Sequence, residues 1–219
     1  MRNGIVFVII AGIWVFFAGC TRLFEPAVIE DLLYGQYVRD GWEAFAQKNY
    51  EYAADRFSRA LALDSTRGDA YAGFGWVYLM TGNYSAADYN FARCALRPDS
   101  NYYGYAGWAF LMSAQDSFQV SNAYLDSVLT HRPNWVFPFY PRLLTRHLWG
   151  LKAHNYFLLS QFSASLQAVQ AVEPQFYTDV QTPEGLTELA QKIQELLEGV
   201  ETAVPGLPRP ELTRFSASE

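Results

Sequence analysis

Cysteine and histidine are scarce in this chain of 219 residues, which contains two of the first and three of the second. The cysteines, Cys20 and Cys94, cannot form a disulfide framework or a zinc site, which would need more Cys or His ligands. The histidines, His131, His147 and His154, form no HExxH pair, and the sequence has no Gly-x-Ser-x-Gly elbow, glycine-rich phosphate loop or CxxC. We therefore expect no enzymatic activity, no cofactor and no metal ion.

Basic residues are also few, with 16 Lys and Arg against 22 Asp and Glu and a formal net charge of −6. A nucleic-acid-binding protein usually concentrates its basic residues on one face, and no such cluster occurs in this sequence, so no nucleic-acid partner is expected. Hydrophobic residues are plentiful, at 51% of the chain with 17% aromatic, and supply ample material for a packed core.

No charged residue lies between Gly4 and Gly19, and Arg2 stands just before this run. This run is short for crossing a hydrocarbon core that takes about 20 helical residues, and its small-residue end favours a signal peptide over residues 1–19. The sequence Phe17-Ala18-Gly19-Cys20 resembles a bacterial lipobox, although that motif normally has Leu where Phe17 stands. The resemblance implies cleavage before Cys20 and attachment of lipid to Cys20.

Two alternatives for this segment are an uncleaved membrane anchor and an ordinary signal peptide cleaved nearby, and both would still export the rest of the chain. Thr21 follows the cysteine, where an Asp would indicate retention in the inner membrane. The resemblance to bacterial lipoproteins therefore implies an address in the cell envelope, on the periplasmic face of the outer membrane.

Equivalent residues recur at a fixed spacing of 34 through the middle of the chain. Four columns keep their character across three copies: Tyr50, Tyr84 and Phe118; Ala53, Ala87 and Ser121; Phe57, Phe91 and Leu125; Ala60, Cys94 and Val128. Within a copy these residues follow one another at steps of three, four and three, which is one stripe of an α-helix. Turn-forming pairs such as Gly82-Asn83 precede the stripes, so each copy is predicted to be helix, turn, helix, turn.

A Gly-Trp pair stands upstream of each stripe, at Gly41-Trp42, Gly75-Trp76 and Gly107-Trp108. The spacing from the first pair to the second is again 34, and that from the second to the third is 32. This shorter interval predicts two extra residues in the turn near Ser113 to Ser117.

The second copy contains, in order, Tyr71, Phe74-Gly75, Tyr78, Ala87, Phe91 and Pro98. This order and spacing resemble the tetratricopeptide signature of an aromatic residue, Leu-Gly, Tyr, Ala, Phe and Pro. The first copy departs from this signature at Ala44, which replaces the Tyr, and at Ser65, which replaces the Pro. The third copy departs from it at Ser121, which replaces the Ala. A degenerate fourth copy is indicated by Trp149, Ala153, Tyr156 and Phe162.

The resemblance implies an all-α, tetratricopeptide-like helix-turn-helix solenoid. The array is predicted over residues 34–174, in copies at 34–66, 67–100, 101–133 and 142–174. A packed apolar loop over 134–141 is predicted between the third and fourth copies. The flanks of the array are a linker over 20–33, a capping helix over 182–203 that begins at Thr182-Pro183, and a disordered tail over 204–219.

In tetratricopeptide arrays the first helix of each copy lines a concave face where ligands lie. Carried over by position, the resemblance assigns these residues to a partner-binding groove: Trp42, Phe45, Trp76, Leu79, Trp108, Leu111 and His154. An aromatic-lined groove suits burial of a partner's hydrophobic segment. The alternative is that these tryptophans pack between helices or are covered by the loop around Trp135 to Tyr140.

The function expected from the sequence is a membrane-anchored scaffold that binds partner polypeptides in the bacterial cell envelope and catalyses nothing. The alternatives are a binder of a hydrophobic or glycan ligand that assists an enzyme, which would need a closed pocket, and a purely structural spacer.

Overall fold

The computed structural model describes residues 26–98, 101–139 and 143–200. These residues contain nine α-helices: α1 (Pro26–Ala46), α2 (Tyr50–Leu63), α3 (Asp69–Met80), α4 (Tyr84–Ala95), α5 (Tyr102–Ala114), α6 (Phe118–His131), α7 (Thr145–Leu158), α8 (Phe162–Gln170) and α9 (Pro183–Leu197). The helices pack as four antiparallel pairs, α1–α2 to α7–α8, and each pair packs on the first helix of the next. Helix α9 packs on α7 and closes the array. The predicted all-α, tetratricopeptide-like solenoid with a C-terminal capping helix is therefore confirmed.

All four helix pairs are joined by the same three-residue turn. Its middle residue has a positive φ: 60° at Lys48, 76° at Gly82, 56° at Asp116 and 57° at Ser160. The amide of the next residue donates to the carbonyl five positions earlier, as in Asn83 to Tyr78 at 2.8 Å. This left-handed residue ends each first helix and reverses the chain.

The identical turns correct the register predicted for the third copy. Since the spacing from Gly82 to Asp116 is again 34, the turn contains no extra pair of residues near Ser113 to Ser117. Ser121 Oγ donates to the carbonyl of Ala109, and Ser165 Oγ to that of Ala153, each at 2.8 Å. These equivalent bonds show that Ala109, and not Gly107, occupies the position of Gly75 in the third copy.

Consecutive pairs are joined through phenylalanine rings that lie between two glycines. A Cβ atom added to Gly41 or Gly73 would come within 2.6 or 2.3 Å of the Phe57 ring. A Cβ atom on Gly75 would come within 2.4 Å of the Phe91 ring, as would one on Gly107. Each ring therefore lies against its own first helix and the first helix of the following pair, which makes one continuous core.

The ends of the array differ partly from the prediction. Helix α1 begins at Pro26, so residues 26–33 of the expected linker are helical. Helix α9 begins after Thr182, whose side chain accepts a hydrogen bond from the amide of Gly185, with Pro183 in the first turn. No helix within the described ranges has the length and apolar character of a membrane span. The predicted signal peptide, Cys20 and the tail over 204–219 lie outside the described residues.

The glycine contacts predict a steric effect on stability. Gly73→Ala places a methyl group 2.3 Å from the Phe57 ring, whereas Gly35→Ala, also inside a helix, meets only Arg39 at 3.8 Å. Both changes gain the same helix propensity, so their difference isolates the clash. The free energy of unfolding of Gly73→Ala should lie about 1–3 kcal/mol below that of Gly35→Ala in urea titrations. Equal stabilities would mean that the Phe57 ring does not lie against Gly73.

Candidate partner-binding face

The candidate site is the surface that α1, α3 and α5 present through Trp42, Trp76 and Tyr103, which we name the trough face. The insertion between α6 and α7 lies on this face. The spacing from Asp116 to Ser160 is 44, ten more than the period, and these extra residues form the insertion.

The insertion is held as a narrow antiparallel pair of extended segments. Val136 forms a β-bridge with Leu144, and the amide of Phe137 donates to the carbonyl of Leu143 at 3.1 Å. The carbonyl of Trp135 accepts hydrogen bonds from the amide of Thr145 at 3.0 Å and from its hydroxyl at 2.7 Å. Side chains alternate along an extended segment, so Val136 is 48% exposed while Trp135 and Phe137 are buried.

Aromatic stacking attaches the insertion to the trough face. The Phe139 ring stacks on Trp42 with centroids 4.4 Å apart and planes 6° from parallel. The Phe137 ring stacks on Trp76 at 4.5 Å and 24°. The Tyr103 ring lies 5.6 Å from Phe137 and 5.9 Å from Phe139. Such pairs contribute about 0.5–1.5 kcal/mol each beyond the apolar area that they bury.

This arrangement distinguishes between the two alternatives that the sequence left for the groove residues. Six of the seven residues assigned to the groove are buried: Trp42, Phe45, Trp76, Leu79, Leu111 and His154. The physical reason is that the insertion and the neighbouring first helices cover the tryptophans, which is the alternative that the sequence left open. A role for these residues in binding a partner remains a prediction.

The seventh residue, Trp108, does not lie on the trough face. Its indole Nε1 donates to Asp88 Oδ1 at 2.7 Å, and its ring stacks on Tyr124 at 4.3 Å. Asp88 and Tyr124 belong to the second helices α4 and α6, so Trp108 packs among second helices. Phe110, one full period after Trp76, holds the equivalent position, with its ring 6.2 Å from the Trp76 ring.

Sequence reasoning missed both Phe110 and Tyr103. A strict spacing of 34 from Trp42 and Trp76 would have identified Phe110. The Gly107-Trp108 pair has the same two residue types as the earlier Gly-Trp pairs, so it was aligned with them instead. No signal distinguished Tyr103 from its neighbours, because Tyr102 and Tyr105 are also aromatic and only the fold decides which one faces the insertion.

His154 continues the column of Trp42, Trp76 and Phe110 in the fourth copy. It is fully buried, and neither ring nitrogen has a hydrogen-bond partner among the residues that the structure describes. Burial lowers the pKa of His154 to about 4, so the ring is neutral at pH 7.

His147 has a different environment from His154, in the first turn of α7. Its Nδ1 accepts a hydrogen bond from the amide of Leu144 at 2.9 Å. Burial, and then the charge of Arg146, lower the pKa of His147 to about 4. Across the described ranges no group of three or more His, Cys, Asp or Glu is arranged to hold a metal ion.

A pocket of about 430 Å³ lies beside the insertion, between the start of α5 and the end of α6. Its lining includes Tyr102, Tyr103, His131, Arg132 and Trp135. The Arg132 guanidinium lies 5.1 Å above the Tyr102 ring, and the His131 ring stacks on Tyr102 with centroids 5.8 Å apart. The volume falls within the range of small-ligand sites, about 300–1,000 Å³.

No protein-family model matches the sequence, and a search of curated proteins also finds no match. A solved structure of pilF from Pseudomonas aeruginosa is similar over 80% of this chain and 88% of its own, with 13% sequence identity and a TM-score of 0.43. At this identity and TM-score the likeness does not establish the architecture, which follows from the helix packing of the described residues.

Proposed function

We propose that this chain is a scaffold for polypeptide partners, held at a bacterial membrane by lipid on Cys20, and that it has no catalytic role. The observation that supports the proposal is the occupied trough face, where two tryptophans from successive helix pairs bind alternate aromatic residues of an extended segment. Trp42 binds Phe139 and Trp76 binds Phe137. This face thus has the chemistry to bind extended polypeptide.

The spacing defines what a partner segment would need. Residues two apart in an extended chain point to the same side, so aromatic residues at that spacing can reach both indoles. The buried centre of the face has aromatic anchors of the type that dominates protein–protein interfaces. A partner with an aromatic-x-aromatic sequence in extended conformation is the class that fits.

Partner entry is proposed at the Trp42 end of the trough face. Phe139 is only half-buried, whereas Phe137 is fully buried and its amide is bonded to Leu143. Removing Phe139 from Trp42 therefore exposes far less apolar surface than removing Phe137 from Trp76. A partner's first aromatic side chain would take the place of Phe139 on Trp42, and its second would reach Trp76 once Phe137 leaves that ring.

Membrane attachment rests on the N-terminal sequence, in which an uncharged segment ends in Phe17-Ala18-Gly19-Cys20. The proposed address is the periplasmic face of the outer membrane. Mass spectrometry of the mature protein tests the attachment directly, and an unmodified Cys20 would contradict it.

Affinity capture from detergent-solubilised membranes tests the binding proposal. Phe139→Ser uncovers Trp42 and should recover more of the same partner protein than the wild type does. Tyr177→Ser is the matched control, because Tyr177 is an exposed aromatic residue between α8 and α9, away from the insertion. No partner above the untagged background, or equal recovery with Phe139→Ser and Tyr177→Ser, would contradict binding at the trough face.

The pocket beside the insertion supports a second candidate function, the binding of a small aromatic or glycan ligand. Its aromatic walls and the polar groups of Arg132 and His131 have the mixed character of small-ligand sites. Ligand-observed NMR with a panel of sugars and aromatic compounds would support this candidate if binding is lost in Tyr102→Ala.

A further inference from the structure

The first two turns of α1 expose four aliphatic side chains. Their exposed fractions are 37% for Val28, 40% for Ile29, 65% for Leu32 and 37% for Leu33. We name these four residues the α1 ridge. Scattered exposed hydrophobic residues are ordinary on soluble proteins, but a cluster of four within two helical turns indicates a contact surface.

The α1 ridge occupies one side of the helix. Val28 and Leu32 are one turn apart, as are Ile29 and Leu33, so at about 100° per residue the four share an arc of about 140°. Glu30 and Asp31 fall outside this arc by the same geometry.

The outward side of α1 changes character along its length. After Leu33 its exposed residues are Gln36, Arg39, Glu43 and the small terminal Ala46, and none of them is a large hydrophobic residue. The apolar surface is thus confined to the end of α1 nearest the uncharged N-terminal segment. A helix that only faced solvent would continue the polar pattern through its first turns.

We propose that the α1 ridge lies on the surface of the lipid bilayer and sets the orientation of the array relative to the membrane. This inference rests on the membrane attachment proposed above. Pro26 is six positions after Cys20, a reach of at most about 20 Å for extended chain. Either anchor, lipid at Cys20 or an uncleaved segment ending there, keeps the ridge close to the bilayer.

A bilayer fits the ridge better than a second copy of the chain. Stable dimers bury about 800 Å² on each partner, far more than four partly exposed aliphatic side chains provide. A tethered surface needs only a weak contact, because the anchor keeps the ridge at a high effective concentration near the lipid. The ridge contains no Lys or Arg, so the contact should depend on apolar burial and respond little to salt.

Lipid quenching of a fluorescent label tests the proposal in the full chain. The protein is reconstituted into phosphatidylcholine vesicles after an environment-sensitive label is attached at Leu32→Cys or, as the matched control, at Leu96→Cys. Leu96 is an exposed leucine at the end of α4, and Cys94 is buried. Labelled wild type gives the background from Cys20.

The expected result is that brominated phosphatidylcholine quenches the label at residue 32 at least about twofold more than the label at residue 96. Adding Ile29→Glu to the Leu32→Cys protein should reduce the quenching to the level at residue 96. Equal quenching at both positions in vesicle-bound protein would overturn the ridge proposal alone.

Two further outcomes are distinguishable. A blue shift at residue 32 without lipid quenching would mean that protein, such as a second copy or residues 4–19, covers the ridge, and would also overturn the proposal. A chain that fails to float with the vesicles would contradict the membrane attachment itself, and the ridge proposal with it.

Discussion

Replacing Phe137 by alanine is expected to lower the free energy of unfolding by about 3–5 kcal/mol, the range for removing a buried phenylalanine ring. The ring is fully buried and stacks on Trp76 at 4.5 Å. Its ring centroid also lies 5.7 Å from that of Trp42 and 5.9 Å from that of Trp135. Its loss would leave a cavity at the centre of the trough face and remove the stack that attaches the insertion to α3, while Phe139 would still stack on Trp42 of α1.

Urea denaturation followed by circular dichroism measures this effect, and acrylamide quenching of tryptophan reports the exposure of Trp42 and Trp76. Val136→Ala is the matched control in the adjacent position, because Val136 points to solvent and its backbone pairing does not depend on the side chain. The control should change stability by less than about 0.5 kcal/mol. Similar losses in the two variants would mean that the alternation of side chains in the insertion is not as described.

Acidification is expected to destabilise the protein between pH 6.5 and pH 4. Above pH 6.5 His154 is neutral in both the folded and the unfolded state. Below it the unfolded chain takes up the proton, whereas the folded state resists protonation until its pKa of about 4. The unfolded state thus binds more protons in this window, and His154 alone removes about 3 kcal/mol of stability by pH 4.

His154→Leu should remove this part of the pH dependence. Leucine suits the position, since the other copies place Trp42, Trp76 and Phe110 there, and it also removes two buried nitrogens that lack partners among the described residues. The variant should therefore equal or exceed the wild type in stability at pH 7 and exceed it by about 3 kcal/mol at pH 4. The part due to His147, whose pKa is lowered in the same direction, would remain.

The matched control for this experiment is His131→Gln. His131 is exposed, so the control removes a histidine without changing the buried column. Because it retains His154, it should still lose stability between pH 6.5 and pH 4. A His154→Leu protein that loses stability on acidification as steeply as this control would show that His154 is solvated in the folded state.

The helices and turns were predictable from the sequence because they repeat. Columns such as Phe57, Phe91 and Leu125 recur once in every period and at helical steps, and a core shared by neighbouring repeats needs that regularity. The turn residues with positive φ also recur, although Gly82 is the only one of them whose residue type indicates that conformation.

The trough face was predicted less well, because its cover is not periodic. The ten extra residues between α6 and α7 have no counterpart in the other copies, so no column could show where Phe137 and Phe139 would lie. Their alternation with Val136 and Pro138 is consistent with an extended segment but does not identify its binding surface. The sequence could therefore suggest that a loop covers the tryptophans without excluding an open groove.

The register predicted for the third copy was wrong for a more specific reason. Gly107 is the counterpart of Gly73, which admits the phenylalanine ring of the preceding pair, and not of Gly75. Gly73 and Gly75 each leave room for a phenylalanine ring, so residue type alone could not show which of the two Gly107 corresponds to. The hydrogen bond from Ser121 to Ala109 resolves the ambiguity.

The central structural feature of this protein is that its own insertion occupies the trough face. Nuclear Overhauser spectroscopy on protein with protonated Phe and Trp in a deuterated background tests this claim directly. Cross-peaks are expected from the Phe139 ring to the Trp42 indole and from the Phe137 ring to the Trp76 indole. The Trp76 indole NH, which donates to the Tyr103 carbonyl, should exchange slowly with water. Trp42 and Trp76 signals that show no contact with either phenylalanine and exchange rapidly with water would contradict this claim.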